Sequence, residues 1–348
     1  MARVETDDGA VGWGECISQF PESALAVKTI VERGFAPLLE RRDPQQVRAL
    51  WQAMREHSYW HGAGGIVTFA ISAIDTALWD LAGKLAGLPV YQLLGGKLFD
   101  RVRVCASIIW DPGDPTGAAV EFAGYRERGF TWVKGGWGRN PETGFGLDPK
   151  RDIAMVRACR EALGEEIELS CDVSARANWT PPHAKRMARR LEEFGLAWLE
   201  DALHHEDHAG WRRLRAVAPM PLATGERCWT VEDYRRLVRA GGVDIVLIDP
   251  GRAEGLTGMK FAADDAHSQG IRFVPHSWSS AINTAAALHV FASSPNGVVF
   301  ELKAQTSPMQ HELVREPFEQ IGGFLEVPDR PGLGVEVDEA AVRKYAFA

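Results

Sequence analysis

Cysteine is scarce and scattered in this chain. The five residues, Cys16, Cys105, Cys159, Cys171 and Cys228, are odd in number and include no C-x-x-C pair. That argues against a disulfide framework or a zinc knuckle and for a reducing compartment. Runs of basic residues are few: "RRLVR" and "KRMARR" read as solvated helix faces, and a net charge of −8 disfavours a nucleic-acid or anionic-membrane surface. The opening "MARVETDDGAVGWGE" carries charge where a signal peptide would have its apolar stretch. No uninterrupted apolar run approaches the ~18 residues of a membrane span. Together these absences predict a cytoplasmic protein without nucleic-acid or membrane partners. What is present is ordinary: 348 residues, 45% hydrophobic and 25% charged, which can bury one large core or one large and one small.

The segment "ARVETDDGAVGWGEC" reads as a β-hairpin with Asp8-Gly9 at its turn. Helical patterns follow, ending in "GGIVTFAISAIDTALWDLAGKLAG", which is apolar on more than one face and closed by Gly87 with Pro89 beyond. That is a buried helix with a clean stop. The first third is therefore α+β.

From about residue 102 short apolar runs alternate with helical segments: "VRVCASII", "FTWVKG", "IELSCD", "LAWLED", "PLATGE", "DIVLID", "IRFVPH" and "GVVFEL". After the first, each ends near a conspicuous polar residue: Lys134, Asp172, Glu200, Glu226, Asp249, His276 and Glu301. From Asp172 onward these are spaced 28, 26, 23, 27 and 25 residues apart, about the length of a strand, a helix of three turns and two loops. Eight such runs predict a parallel α/β barrel, whose active site lies at the C-terminal strand ends. A carboxylate at one strand end could simply cap the next helix. Six consecutive polar strand ends converge on one mouth instead.

Three neighbouring carboxylates, Asp172, Glu200 and Glu226, would repel one another unless a cation intervenes. Hard oxygen ligands of this kind suit Mg²⁺ or Mn²⁺, with positions left for water and substrate. Asp249 and His276, on adjacent strands, can pair so that the carboxylate fixes the imidazole's tautomer and raises its basicity, making a general base. Lys134 supplies a positive charge for a substrate anion. A metal, a carboxylate substrate and a base together point to abstraction of a proton α to that carboxylate, with the resulting enediolate stabilised by the ion.

The residues reached so far resemble the enolase superfamily, and within it the mandelate racemase/muconate lactonizing enzyme-like branch. The resemblance runs from "TDDGAVGWGE" through "AISAIDTALWDLAGKLAGLPVYQLLGG", "LAWLED", "LATGE" and "DIVLIDPGRAEGLTGMKFAADDAHSQGIRFVPHSW" to the tail "VPDRPGLGVEVDE". It implies a (β/α)7β TIM-like barrel over residues 102–310. A capping α+β domain is built from residues 1–101 and a returning C-terminal segment, 311–348. It puts Asp172, Glu200 and Glu226 on the metal-ligand positions and Asp249 and His276 on the His-Asp dyad. Glu301 takes the place of the acid that hydrogen-bonds the enediolate, and Lys134 that of the first lysine of a K-x-K motif. It also implies a small-molecule acid as substrate and a homo-oligomer.

The departures are informative. Gly136 stands where K-x-K members carry a second lysine, so a proton catalyst is missing on one face. A racemase normally needs one on each face, whereas a dehydratase can work with one. The implied function is an acid-sugar dehydratase giving a 2-keto-3-deoxy acid, with a racemase or epimerase of the same superfamily, or a catalytically inert relative, as alternatives. Where the family has E-E-P, this chain has Glu200-Asp201-Ala202. It also starts at what should be the capping domain's second strand. In the loop "SYWHGAGG", Tyr59, Trp60 and His61 are candidate substrate contacts. Trp13-Gly14-Glu15 could line the substrate or merely pack. The cluster "HHEDH" (His204 to His208) reads as a polar loop and helix start. A retaining glycosidase would want two flanking glutamates, not a histidine on the seventh strand. A two-metal hydrolase would want an early H-x-H, which is absent.

Overall fold

The computed structural model describes residues 1–18, 20–110, 114–138, 144–173 and 177–346. Strands β1 (Ala2–Glu5) and β2 (Val11–Gly14) pair antiparallel. The connection spans residues 6–10 rather than two residues, with Gly9 at φ 86°, a conformation that favours glycine. Val11-Gly12-Trp13-Gly14 lies flat on the Ile66–Ala86 helix. A Cβ on Gly12 or Gly14 would stand 2.1 or 2.0 Å from the carbonyl oxygens of Ala77 and Ala73, so no larger residue allows this approach.

That helix runs 21 residues and ends at Gly87, which is left-handed at φ 67°, as the sequence predicts. By length and mean hydropathy it could cross a membrane, but 83% of the qualifying window is buried inside the protein. Its two interior carboxylates explain why. Asp80 accepts from Trp13 N (2.8 Å), Leu333 N (2.8 Å) and Lys84 Nζ (2.6 Å), tying both chain ends to the helix. Asp75 reaches the barrel, accepting from Thr257 N (2.9 Å) and Thr257 Oγ1 (2.7 Å). Burial pushes the Asp75 carboxyl up to about 7.

All eight predicted runs are strands: β3 (Arg101–Ile109), β4 (Trp132–Gly136), β5 (Glu168–Asp172), β6 (Leu196–Glu200), β7 (Leu222–Thr224), β8 (Ile245–Ile248), β9 (Arg272–Pro275) and β10 (Phe300–Lys303). They form one parallel sheet in the order β10-β3-β4-β5-β6-β7-β8-β9. The sheet closes where Phe273 N donates to Asn296 O (3.0 Å) and Phe273 O accepts from Val298 N (3.0 Å). A helix follows each strand from β3 to β9, which is the expected (β/α)7β order. Strand β11 (Phe324–Glu326) adds antiparallel to the start of β3.

Side chains alternate across each strand. Trp132, Trp198, Leu247, Val274 and Val299 fill the barrel's interior as an apolar plug. Two residues further along the same strands stand Lys134, Glu200, Asp249, His276 and Glu301. Period-two alternation therefore lifts the polar set directly above the plug, at the C-terminal mouth.

Candidate active site

The three acids at the ends of β5, β6 and β7 come together. One carboxylate oxygen from each of Asp172, Glu200 and Glu226 lies within 4.8 Å of the others. Among the described residues no other group of three potential ligands does so. Burial pushes Asp172 up to about 7, although Lys134 pulls it the other way. Glu200 is driven well above the carboxylate range by burial, and Asp172 and Glu301 repel it further. Glu226 is the exception. Burial would raise it, but His276 and Arg252 hold it well below the usual range. Three hard oxygen donors, two of them reluctant to ionise unaided, fit a divalent cation of the Mg²⁺ type.

Lys134 is buried among these acids rather than facing open solvent. Its Nζ lies 2.6 Å from Glu200 Oε1, 2.7 Å from Glu301 Oε1 and 3.4 Å from Asp172 Oδ2. Burial would lower its pKa, but these carboxylates raise it well above the ordinary lysine value. Each buried ion costs several kcal/mol in desolvation, so a cluster of this kind is an unlikely stabilising device and points to function. Glu301 Oε1 also accepts from Ser107 Oγ (2.6 Å), which in turn accepts from Trp278 Nε1 (2.8 Å). Glu301 Oε2 is buried with no hydrogen-bond partner among the described residues, which leaves an acceptor available to a ligand.

His276 and Asp249 pair as predicted. Nδ1–H donates to Asp249 Oδ2 at 2.5 Å, which leaves Nε2 facing Glu226 Oε2 at 3.0 Å. The other Asp249 oxygen accepts from Gly251 N (2.7 Å) and Asn283 Nδ2 (3.3 Å). The dyad is thus fixed from behind. Burial lowers the imidazole's proton affinity, but Glu226 and Asp249 more than compensate and raise it to about 10.

Several supporting residues escape sequence reading. Trp198 Nε1 donates to Glu200 Oε2 at 2.8 Å; its place two residues earlier on the same strand face was the available signal. Arg252 Nη1 donates to the Glu226 carbonyl at 2.8 Å, which gives the "GRAEG" turn a task. Asp201, in the altered E-E-P position, is left-handed at φ 50°. It accepts from Thr224 Oγ1 (2.6 Å) and pairs with Arg227 Nη2 (3.1 Å), tying two ligand-bearing strand ends together.

Gly136 is more than a missing side chain. Its φ is 145°, and a Cβ there would stand 2.0 Å from the carbonyl oxygen of Asp172. Trp137 follows at φ 61°, its N–H bonded to that same oxygen at 2.8 Å. The capping loop is less engaged than expected. Tyr59 and Trp60 are 73% and 89% exposed and touch each other edge-on. Among the described residues, no hydrogen bond or ring contact joins Tyr59, Trp60 or His61 to the carboxylate ring. Within "HHEDH", Asp207 caps the His208–Arg215 helix, its side chain accepting from Gly210 N.

Known proteins place this geometry in context. The chain matches the family description "Enolase C-terminal domain-like" over residues 118–341. It matches "Mandelate racemase / muconate lactonizing enzyme, N-terminal domain" over residues 1–95. A D-galactarolactone cycloisomerase from Agrobacterium fabrum is 31% identical over 99% of this chain and 90% of its own. A D-galactonate dehydratase from Xanthomonas oryzae pv. oryzae is 33% identical over 98% and 89%. The crystal structure of a racemase from Streptomyces coelicolor A3(2) with bound magnesium superimposes with a TM-score of 0.88 at 30% identity, covering 99% of this chain and 90% of that one. The chain belongs to the mandelate racemase/muconate lactonizing enzyme branch of the enolase superfamily.

Proposed function

We propose that this chain is a Mg²⁺-dependent hydro-lyase that removes the proton α to the carboxylate of a sugar acid and expels the β-hydroxyl, giving a 2-keto-3-deoxy acid. The observation that carries this reading is the one-sidedness of the mouth among the described residues: a buried imidazole at the end of β9 and, on β4, a glycine whose Cβ would strike the Asp172 carbonyl. The relatives include a D-galactonate dehydratase, so six-carbon aldonic acids head the list of substrates.

Asp172, Glu200 and Glu226 would hold the ion, and Mn²⁺ suits the same oxygens. When bound, Mg²⁺ polarises the substrate carboxylate and acidifies the adjacent carbon. The chain's own residues do the rest. Asp249 keeps Nδ1 protonated, so Nε2 of His276 takes the α-proton. The electron pair left on that carbon forms the double bond as the β-hydroxyl departs. The proton on Nε2 is available to the leaving oxygen, so one water is lost, and the enol tautomerises to the 2-keto acid. Lys134 offsets negative charge gathered at the carboxylate end. Glu301 Oε2, without a partner among the described residues, accepts a hydrogen bond from the substrate.

Incubation of D-galactonate and a panel of aldonic and aldaric acids with enzyme and Mg²⁺ in D₂O tests this. The expected result is a product that has lost one water and carries one solvent deuterium at C3, abolished by chelator and restored by Mg²⁺. Exchange with stereochemical inversion and no loss of water would replace the reading with an epimerase. A product of unchanged mass from a lactone would replace it with a cycloisomerase.

A further inference from the structure

Glu15 ends the hairpin of the capping domain, yet its side chain is spent inside the barrel. It is 4% exposed. Its Oε1 accepts from Ser279 Oγ at 2.6 Å, and its Oε2 from Ser280 Oγ and from Asn283 N at 3.3 Å. All three donors lie in the turn after His276 and the first turn of the Ala281–Ala292 helix, where a carboxylate also meets the favourable end of the helix dipole. Among the described residues no lysine or arginine pairs with Glu15, and burial raises its carboxyl pKa. A buried carboxylate with no lysine or arginine beside it is an expensive way to seat a domain.

What it holds explains its place. Asn283, whose N–H donates to Glu15, gives its side-chain amide to Asp249 Oδ1. The second donor to that oxygen is Gly251 N, and Gly251 O accepts from Ile17 N at 3.1 Å, two residues beyond Glu15. The junction has no slack: a Cβ on Gly251 would meet Asn283 Oδ1 at 3.0 Å, Asp249 Oδ1 at 3.1 Å and Ile17 Cγ1 at 3.1 Å. Both donors that fix Asp249 therefore hang on the Glu15–Ile17 segment, and Asp249 in turn orients His276. The segment has a rigid seat, since β2 lies directly on the backbone of the long capping helix.

We infer that Glu15 is a positioning residue: it transmits the seating of the capping domain to the His276–Asp249 dyad through the Ser279–Asn283 turn. The inference rests on His276 being the base of the proposed reaction. With the magnesium-loaded full chain, Glu15→Ala should lower kcat for dehydration of D-galactonate about 10- to 100-fold, the usual cost of losing an outer-shell partner. KM and Mg²⁺ affinity by calorimetry should stay unchanged. Glu15→Gln, which keeps the shape and one acceptor, should recover part of that loss. Independently of turnover, the low-field proton resonance of the hydrogen-bonded His276 Nδ1–H, assigned by its disappearance in His276→Asn, should shift or broaden in Glu15→Ala and less so in Glu15→Gln.

If the alanine variant does not fold, Glu15→Gln and Ser280→Ala decide by the same two readouts. A folded variant with unchanged kcat and an unchanged imidazole resonance overturns the inference while leaving the dehydratase reading intact. Wild-type enzyme inert toward every acid in the panel overturns that reading, and a resonance that still moves in Glu15→Ala would then support the positioning role on its own.

Discussion

The ends of β9 and β4 lie three strands apart round the closed sheet and spend their residues in opposite ways. At β9 the chain builds a side chain up: His276 is buried, its Nδ1 fixed by Asp249, and Asp249 is fixed by two further donors. At β4 the chain removes a side chain altogether. The space a Cβ would occupy at Gly136 holds the backbone of Asp172, and the N–H of Trp137 locks onto the same carbonyl. The β4 end therefore braces the strand that carries Asp172. A gap in a catalytic motif can thus be a backbone device, and filling it with the missing residue would not rebuild the function.

The largest effect should come from the occupied side. His276→Asn removes the candidate base of the dyad and should lower turnover by about 10²- to 10⁴-fold, the usual worth of a general acid–base group. Mg²⁺ binding by calorimetry should survive, because His276 is not among the three clustered acids. Near-normal turnover by this variant would erase the contrast between the two strand ends.

The vacant side predicts a different kind of failure. Gly136→Lys, which restores the family's second lysine, forces a side chain onto a φ of 145° and into the Asp172 carbonyl. It should destabilise the protein by about 2–4 kcal/mol, read by denaturant unfolding, without introducing racemisation. A stable variant that inverts its substrate would mean that β4 retains the family's geometry and lacks only the amine.

The contrast also has a pH signature. In metal-free protein the His276 pKa rises from 6.5 to about 10, so the folded state binds the proton more tightly than the unfolded chain. That contribution to stability is complete below about pH 6.5 and is lost as pH rises through about 10. Unfolding free energy of the metal-free wild type should fall across this window, and His276→Asn should flatten the fall. An identical pH profile in both proteins would show that the imidazole gains no proton affinity on folding.

How much of this could be read from the chain depends on how local the cause is. The barrel was legible because alternation is local: Trp198 points inward, so Glu200 must, and the same holds for Leu247 with Asp249 and Val274 with His276. The spacing of the strand ends then brings the acids round one mouth. Glu15 was ambiguous because its partners lie more than 260 residues away, on a turn that only docking of the capping domain brings near. Gly136 could be read as an absent lysine, but not as a left-handed residue pressed against β5, because φ at one residue is set by its neighbours in space. Lys134 was placed on the correct strand, but its immersion among Glu200, Glu301 and Asp172 depends on where four strand ends meet.

The smallest effect should come from the capping loop whose Tyr59, Trp60 and His61 are candidate substrate contacts on sequence grounds. Tyr59 and Trp60 are exposed and pack on each other rather than on the dyad or the acids. Truncating an exposed side chain usually changes stability by no more than about 0.5 kcal/mol, so Tyr59→Ala and Trp60→Ala should unfold like wild type. If the loop meets substrate at all, it does so from outside the carboxylate ring, where contact changes binding more than chemistry. KM should then rise while kcat stays put, and His61→Ala should follow the same pattern. A fall in kcat at unchanged KM in any of the three would instead mean that the loop reaches the reacting carbon, and that the face opposite His276 is served from the capping domain rather than left blank.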